Sequence, residues 1–442
     1  MGAASASLQE RIRAAGVVGA GGAGFPAHVK AAARVEYVIA NGAECEPLLH
    51  KDYELMVHAP ARVVAGLRLL MQATGARQGI LGVKAKNTDA IAALTAALDG
   101  DDLRLHTLGD FYPSGDEYIL VYEAVRRLIP PQGLPLDVGV VVSNVETLYN
   151  IAAAAEGRPV TGTWITVAGA VARPVTFVAP VGLSYRDAIA QAGGATVADP
   201  AVFVSGIMMG SLAADLDAPV TKTCAGLIVL PSGHELVRRM RQPEPAMHRI
   251  GRSACDQCSL CTELCPRYTL GYQVEPHKVM RSLSFVPKGG AMWNLSAALC
   301  CACGLCTLYA CPEALYPKEA CDRAKQDLKA QEIRWSGPRE VEPHPMYEHR
   351  RTPLKQLIRR LGIDEYDRPA PFVDVAIRPR RVVLPLQQGL GSPAEPVVAV
   401  GDRVAPGQPV AEVPAGALGA RLHASIGGTV RAVDGSVVIE SE

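Results

Sequence analysis

Twelve cysteines occur in the 442 residues, and ten of them lie between Cys255 and Cys321. No other feature constrains the fold as much, because thiols this crowded either oxidise in pairs or share metal. A large chain without a secretory hydrophobic core at its start favours the reduced, metal-binding alternative. The first run, "CDQCSLCTELCPR", has the pattern C-x2-C-x2-C-x3-C-P with Cys255, Cys258, Cys261 and Cys265. Three thiolates of such a loop can grip three irons of one [4Fe-4S] cube, while the fourth reaches a neighbouring cube. The second run, "LCCACGLCTLYACPE", offers Cys300, Cys303, Cys306 and Cys311, with four residues instead of three in its last gap. Of the adjacent pair, only Cys300 leaves both earlier gaps at two residues, so Cys301 is expected to stand aside. Crossed ligation would give one cube to Cys255, Cys258, Cys261 and Cys311, and the other to Cys300, Cys303, Cys306 and Cys265. Zinc is the alternative, but zinc sites favour paired C-x2-C knuckles. Cys45, Cys224 and Cys321 lack partners at ligand spacing and read as small buried apolar residues.

The chain is too long for one core, so several domains are expected. Lysine plus arginine and aspartate plus glutamate number 44 each. No global field therefore recruits nucleic acid or an anionic membrane surface. The longest apolar runs fall far below the roughly 20 residues that span a bilayer. A cytoplasmic protein without nucleic-acid partner or direct membrane insertion is the expectation. In residues 1–155, extended segments ("VEYVIAN", "QGILGVKAK", "LRLHTLGD", "VGVVVSN") alternate with helical ones ("ARVVAGLRLLMQATG", "TDAIAALTAALDG", "DEYILVYEAVRRLI"). The alternation predicts a layered α/β domain, in which ligands gather at the carboxyl ends of strands.

The stretch "VVGAGGAGFPAHVK" contains G-x-G-x-x-G at Gly19, Gly21 and Gly24. A dinucleotide fingerprint needs a strand immediately before it. Here "SLQERIRAAGVV" precedes it, with Leu8, Ile12 and Ala15 at helical spacing. The loop is therefore not read as a Rossmann turn. Further motifs stand where strands end: "NGAECEP", "YPSGDE" and "SNVETL". In this order the four motifs resemble the flavin site of the NADH-binding subunit of respiratory complex I and its relatives. That resemblance implies FMN and NAD(H) as cofactors. Gly19, Gly21, Gly22 and Lys30 would hold the FMN phosphate, with Gly24 in the same loop; Asn41, Glu44, Asn144 and Thr147 would bond the ribityl chain and ring. Phe25 would stack on the nicotinamide nucleotide while Glu46 and Glu117 orient it, and Tyr112, Gly115 and Asp116 complete the set. Ala43 and Ser143 depart from the complex I pattern, which has an acid and an asparagine there.

Residues 156–240 open with a hairpin followed by a helix started by Ser184 and Asp187 and closed by Gly193 and Gly194. This resembles the soluble-ligand-binding β-grasp (SLBB) module; in its "SGIMMGSL", Met208 and Met209 are expected to pack in a core. Residues 245–330 form the α-helical two-cluster, ferredoxin-like domain, and 331–380 a connector with one amphipathic helix, "PLKQLIRRLG", whose basic face is expected to be solvated. Residues 381–442 resemble the β-rich barrel-sandwich hybrid of lipoyl domains, but contain no lysine to carry a cofactor. A scaffold or docking role remains. His28, His50, His234, His277 and His423 are scattered and read as satisfied single histidines rather than metal ligands.

Flavin, β-grasp and two-cluster domains also occur together in the NADH-side subunit of the Rnf membrane complex, where the barrel-sandwich module comes first. Here it comes last, as in the cobalamin reductases of propanediol utilisation, which the whole chain except the connector resembles. That resemblance implies an NADH-dependent corrinoid reductase using FMN and two [4Fe-4S] clusters, with cobalamin as acceptor. No acid or base beyond the cofactors is expected to be indispensable. It also implies association with an adenosyltransferase and a bacterial microcompartment. An electron-input subunit of an Rnf-like complex, and a non-catalytic iron-sulfur carrier or scaffold, are the alternatives.

Overall fold

The computed structural model describes residues 6–286, 290–291 and 294–441. A capped helix, Leu8–Ala14, does precede the glycine loop; the Ser7 hydroxyl accepts from the Glu10 N–H and the Glu10 carboxylate from the Ser7 N–H. Behind the loop stands a four-stranded parallel sheet in the order Leu103–Leu108, Gln78–Lys84, Tyr37–Gly42, Val140–Asn144. Central strands with helices on both faces carry near-continuous apolar runs, and Val38, Ile39, Ala40, Ile80 and Leu81 are fully buried. The helices Pro60–Thr74 and Val145–Ala155 pack across one face; Glu117–Val125 covers the other.

A five-stranded mixed sheet follows, in the order Val175–Pro180, Gly162–Gly169, Gly226–Pro231, Pro200–Val204, Ser211–Leu212. Its helix, Tyr185–Gln191, is capped by the Ser184 hydroxyl, which accepts from the Asp187 N–H, and Gly193 and Gly194 adopt positive φ beyond its end. Short helices then carry the cysteine runs. The last domain stacks a four-stranded sheet (Arg381–Pro385, Ser436–Glu440, Gly428–Val433, Arg403–Val404) on a three-stranded one (Glu395–Pro396, Pro409–Glu412, Leu422–His423) around Val382, Val410, Ala411 and Ile439. Among the described residues, no helix is long and apolar enough to cross a membrane.

The connector is stitched to its neighbours. Thr352–Pro353 pairs antiparallel with Phe111–Tyr112, and Phe372 stacks on Trp164 at 4.5 Å between ring centroids. In the helix Leu354–Arg360, Leu354, Leu357 and Ile358 enter a core shared with Ile207, Met208, Cys303 and Leu305. Its apolar face thus bonds two domains together.

Candidate electron-transfer site

The glycine loop and three strand-end motifs converge at the carboxyl edge of the parallel sheet. The Thr147 hydroxyl accepts from the Ala20 N–H at 2.9 Å, and a Cβ on Gly21 would come within 3.3 Å of the Asn144 Cβ. Gly22, at φ +128°, faces open space. The Lys30 ammonium donates to the Val142 carbonyl at 2.7 Å and lies 3.7 Å from Glu117. Asn41 donates to the Gly115 carbonyl at 2.9 Å, which ties the first strand to the "YPSGDE" turn. Asn144 caps the helix Val145–Ala155 and donates to Asp52 at 2.7 Å. One loop, one ammonium and several amide side chains therefore line a single mouth, with Gly21 and Gly22 exposed. Backbone N–H groups beside a lysine suit a phosphate.

Beneath this mouth lies an ionic network that sequence spacing did not reveal. Lys51 contacts Asp52 at 2.8 Å and Glu146 at 2.7 Å, all three buried. Burial works against the Lys51 charge, but the two carboxylates outweigh it and hold its pKa above the ordinary lysine value. Glu146 also accepts from the Thr163 hydroxyl and the Trp164 N–H, both at 2.9 Å, in the β-grasp sheet. Burial, and then the Asp52 charge, push the Glu44 carboxyl above the ordinary value. It accepts from the Asp52 and Tyr53 N–H groups.

Three expected site residues face other domains. Glu46 turns to the β-grasp loop, accepting from the Met208 and Met209 N–H groups at 3.1 and 2.9 Å. Tyr112 is buried and its hydroxyl donates to the Cys303 carbonyl at 2.6 Å. Asp116 caps the helix Glu117–Val125 and accepts from Arg267 at 2.8 Å, two residues beyond Cys265. Arg267 lies 3.5 Å over the Tyr118 ring. The "YPSGDE" turn thus touches both cysteine runs. The paired methionines divide: Met208 is buried as expected, whereas Met209 is 58% exposed.

The cysteines gather into two groups. Cys255, Cys258, Cys261 and Cys311 line one cavity that opens to solvent, and Cys258 is exposed. Burial and the neighbouring thiols Cys311, Cys255 and Cys258 push Cys261 up to about 12. Around Cys265 stand Cys300, Cys301, Cys303 and Cys306; Cys300 also packs on the core that holds Cys321, and Cys301 on the core that holds Cys303. Thiols gathered around one opening are the donor set a [4Fe-4S] cube takes. The cavity thiols also receive N–H groups, from the Gln257 side chain to Cys255 at 3.1 Å and from the Leu315 backbone to Cys311 at 3.3 Å.

The two cysteine loops share a backbone pattern. Gln257 and Ser259 adopt φ of 62° and 64°, two and four residues after Cys255; Ala302 and Gly304 adopt 56° and 79°, two and four after Cys300. The two loops repeat one conformation, and Cys300 stands where Cys255 does. The longer final gap is absorbed by a π-helical turn, Cys306–Ala310, whereas Cys261 and Cys265 are joined through the α-helical turn Leu260–Glu263. One wider turn takes up one extra residue. Among the described residues no histidine lies in either cysteine group except His277, at the cavity wall, and its Nδ1 is already paired with the Thr262 hydroxyl at 2.7 Å.

Residues 12–153 match the Nuo51 FMN-binding domain family, 164–210 the SLBB domain, 254–316 the 4Fe-4S dicluster domain and 370–442 the RnfC barrel sandwich hybrid domain. The chain is 36% identical over 267 residues to one component of the Na(+)-translocating ferredoxin:NAD(+) oxidoreductase complex of Acetobacterium woodii, covering 59% of this chain and 58% of that one. It is 45% identical to the cobalamin reductase PduS of Citrobacter freundii, over 96% of this chain and 94% of that one. With PduS of Salmonella typhimurium it shares 48% identity, again over 96% of this chain and 94% of the other. On that full-length similarity, the chain belongs to the PduS family of cobalamin reductases.

Proposed function

We propose that this chain is an NADH-dependent corrinoid reductase that passes electrons from NADH by way of FMN and two [4Fe-4S] clusters to cob(III)alamin and cob(II)alamin. The observation that carries this reading is the junction of the nucleotide-side turn with the second cysteine group, through Tyr112 to Cys303 and Asp116 to Arg267, while Cys258 of the first group reaches the surface. When bound, the flavin and clusters together convert a two-electron donor into the single-electron steps a corrinoid accepts.

The residues would act as follows. The N–H groups around Gly19, Gly21, Gly22 and Gly24, with Lys30, would bind the phosphate. Asn41, Asn144 and Thr147, already fixed by their own hydrogen bonds, would with Glu44 bond the ribityl chain and ring. Phe25 and Glu117 stand at the mouth, where the nicotinamide nucleotide would enter. Glu46, Tyr112 and Asp116 would hold the domains in register around it. Cys265, Cys300, Cys303 and Cys306 would ligate the cluster nearer the flavin, and Cys255, Cys258, Cys261 and Cys311 the outer one. The domain limits 1–155, 156–240, 245–330, 331–380 and 381–442 form part of the same reading. So do a cytoplasmic location, an adenosyltransferase partner and a microcompartment shell, which co-purification would test.

With anaerobically prepared holoprotein, Cys258→Ala is expected to abolish NADH-driven corrinoid reduction while sparing NADH oxidation with a flavin-accepting dye. Equal loss of both rejects the order of centres. Wild-type protein that reduces the dye but leaves hydroxocobalamin untouched would favour an electron-input role in a larger complex instead.

A further inference from the structure

The last domain contains no lysine to carry a prosthetic group, yet one of its turns lies on the glycine loop. The turn, residues 386–392, follows the strand Arg381–Pro385. It is fixed within its own domain: the Leu386 N–H donates to the Gly435 carbonyl at 3.1 Å, and the Gln387 side chain to the Gly391 carbonyl at 3.0 Å. Gln388 is buried in it, with Nε2 donating to the Pro385 carbonyl at 3.2 Å and Oε1 accepting from the Lys222 N–H of the β-grasp domain at 3.0 Å. From this seat the Leu390 N–H donates to the Ala23 carbonyl at 3.2 Å. Gly24 and Gly389 meet backbone to backbone. A Cβ on Gly24 would lie 2.6 Å from the Gly389 Cα, and a Cβ on Gly389 would lie 2.5 Å from the Gly24 carbonyl oxygen.

A loop with Gly19, Gly21, Gly22 and Gly24 in six positions needs restraint from outside. Glycine has more backbone states to lose than any other residue, and ordering them at the moment of binding costs affinity. The flavin domain fixes the start of the loop, where the Gly19 N–H donates to the Phe25 carbonyl and the Ala20 N–H to the Thr147 hydroxyl, both at 2.9 Å. Gly21 and Gly22, both exposed, come next. Beyond them the loop is held at Ala23 by Leu390 and at Gly24 by Gly389, so the exposed pair is pinned on both sides by different domains.

We infer that this turn of the last domain is a brace that preorganises the phosphate-binding stretch of the glycine loop, with Gln388, Gly389 and Leu390 as positioning residues for FMN. The inference rests on the flavin assignment proposed above. Three domains then share one binding step. The flavin domain supplies the loop, the β-grasp domain seats the brace through Lys222, and the last domain sets the path of the loop at Ala23 and Gly24.

The test is fluorescence titration of the full-length chain, stripped of flavin with its clusters retained, with FMN and separately with riboflavin, which lacks only the phosphate. Wild-type protein is expected to bind FMN more tightly than riboflavin. Gly389→Ala places one methyl group against the Gly24 carbonyl, at a position without positive φ. It is expected to weaken FMN binding about tenfold, the scale of releasing one residue of backbone, while riboflavin affinity and iron content keep their wild-type values. Unchanged FMN affinity overturns the brace. A parallel loss of both ligands also overturns it, because a general disturbance of the fold does not single out the phosphate. Wild-type protein that binds both flavins alike takes the phosphate away from the loop and overturns the flavin assignment itself. If Gly389→Ala yields no folded protein, Gln388→Ala, which cuts the link to Lys222, decides by the same readings: a selective loss of FMN supports the brace, and an unchanged FMN affinity rejects it.

Discussion

Glu46 shows how one side chain can belong to a motif and yet serve a different contact. Its position in "NGAECEP" puts it at the carboxyl end of the first strand, but its carboxylate is held by the Met208 and Met209 N–H groups of the next domain. Burial pushes it up to about 7 from 4.5, partly opposed by those N–H groups. Between these two values the folded chain holds more protons than the unfolded one, so this residue's contribution to stability falls as pH rises from about 4.5 through 7. In Glu46→Gln that part of the slope is expected to vanish, seen as a flatter dependence of Tm on pH over the same window. Nothing in the local sequence distinguishes Glu46 from Glu44, since each is two residues from the other and only the incoming loop separates their roles.

At the scale of elements, the alternating strands and helices were legible because apolar periodicity reports burial directly. Gln78–Lys84, Leu103–Leu108 and Val140–Asn144 fall within segments read as strands, and Tyr37–Gly42 runs one residue past the end of its segment. The connector was less legible: "PLKQLIRRLG" shows an apolar face, but periodicity does not say what covers it. The helix crossing behind the mouth depends on Gly66. A Cβ there would lie 1.9 Å from the Leu148 carbonyl oxygen, which is backbone and cannot turn aside. Alanine would gain about 1 kcal/mol in helix propensity, but overpacking typically costs about 1–3 kcal/mol or more. Gly66→Ala should therefore lower Tm. Because the displaced helix Val145–Ala155 carries Asn144, Glu146 and Thr147 at its start, FMN content of the purified protein should fall with it.

For the whole molecule, the decisive joint is Lys222. Its ammonium nitrogen donates to the Gly16 and Arg421 carbonyls, both at 2.8 Å, and its backbone N–H to Gln388 at 3.0 Å. Flavin, β-grasp and barrel-sandwich domains meet there. Beside it the last domain presses on the nucleotide loop: the Leu390 N–H donates to the Ala23 carbonyl at 3.2 Å, and a Cβ on Gly24 would lie 2.6 Å from the Gly389 Cα. Among the described residues no carboxylate pairs with Lys222, and burial alone pushes it down to about 7 from 10.5. A neutral amine has two hydrogens for its two carbonyl acceptors. Burial and the nearby Lys222 and Arg421 charges likewise hold His423 down to about 3. The unfolded chain binds more protons than the folded one between about 7 and 10.5, so Lys222 makes stability rise with pH across that window. Lys222→Met should remove this rise, measured as the difference in Tm against wild type at each pH. The sequence alone determined the chemistry, because cluster ligation and phosphate binding need particular atoms at short spacings along the chain. Only the tertiary structure decided which carboxylates face the mouth and which domain closes on the glycine loop, because those contacts join residues that are far apart in the chain and have no common period.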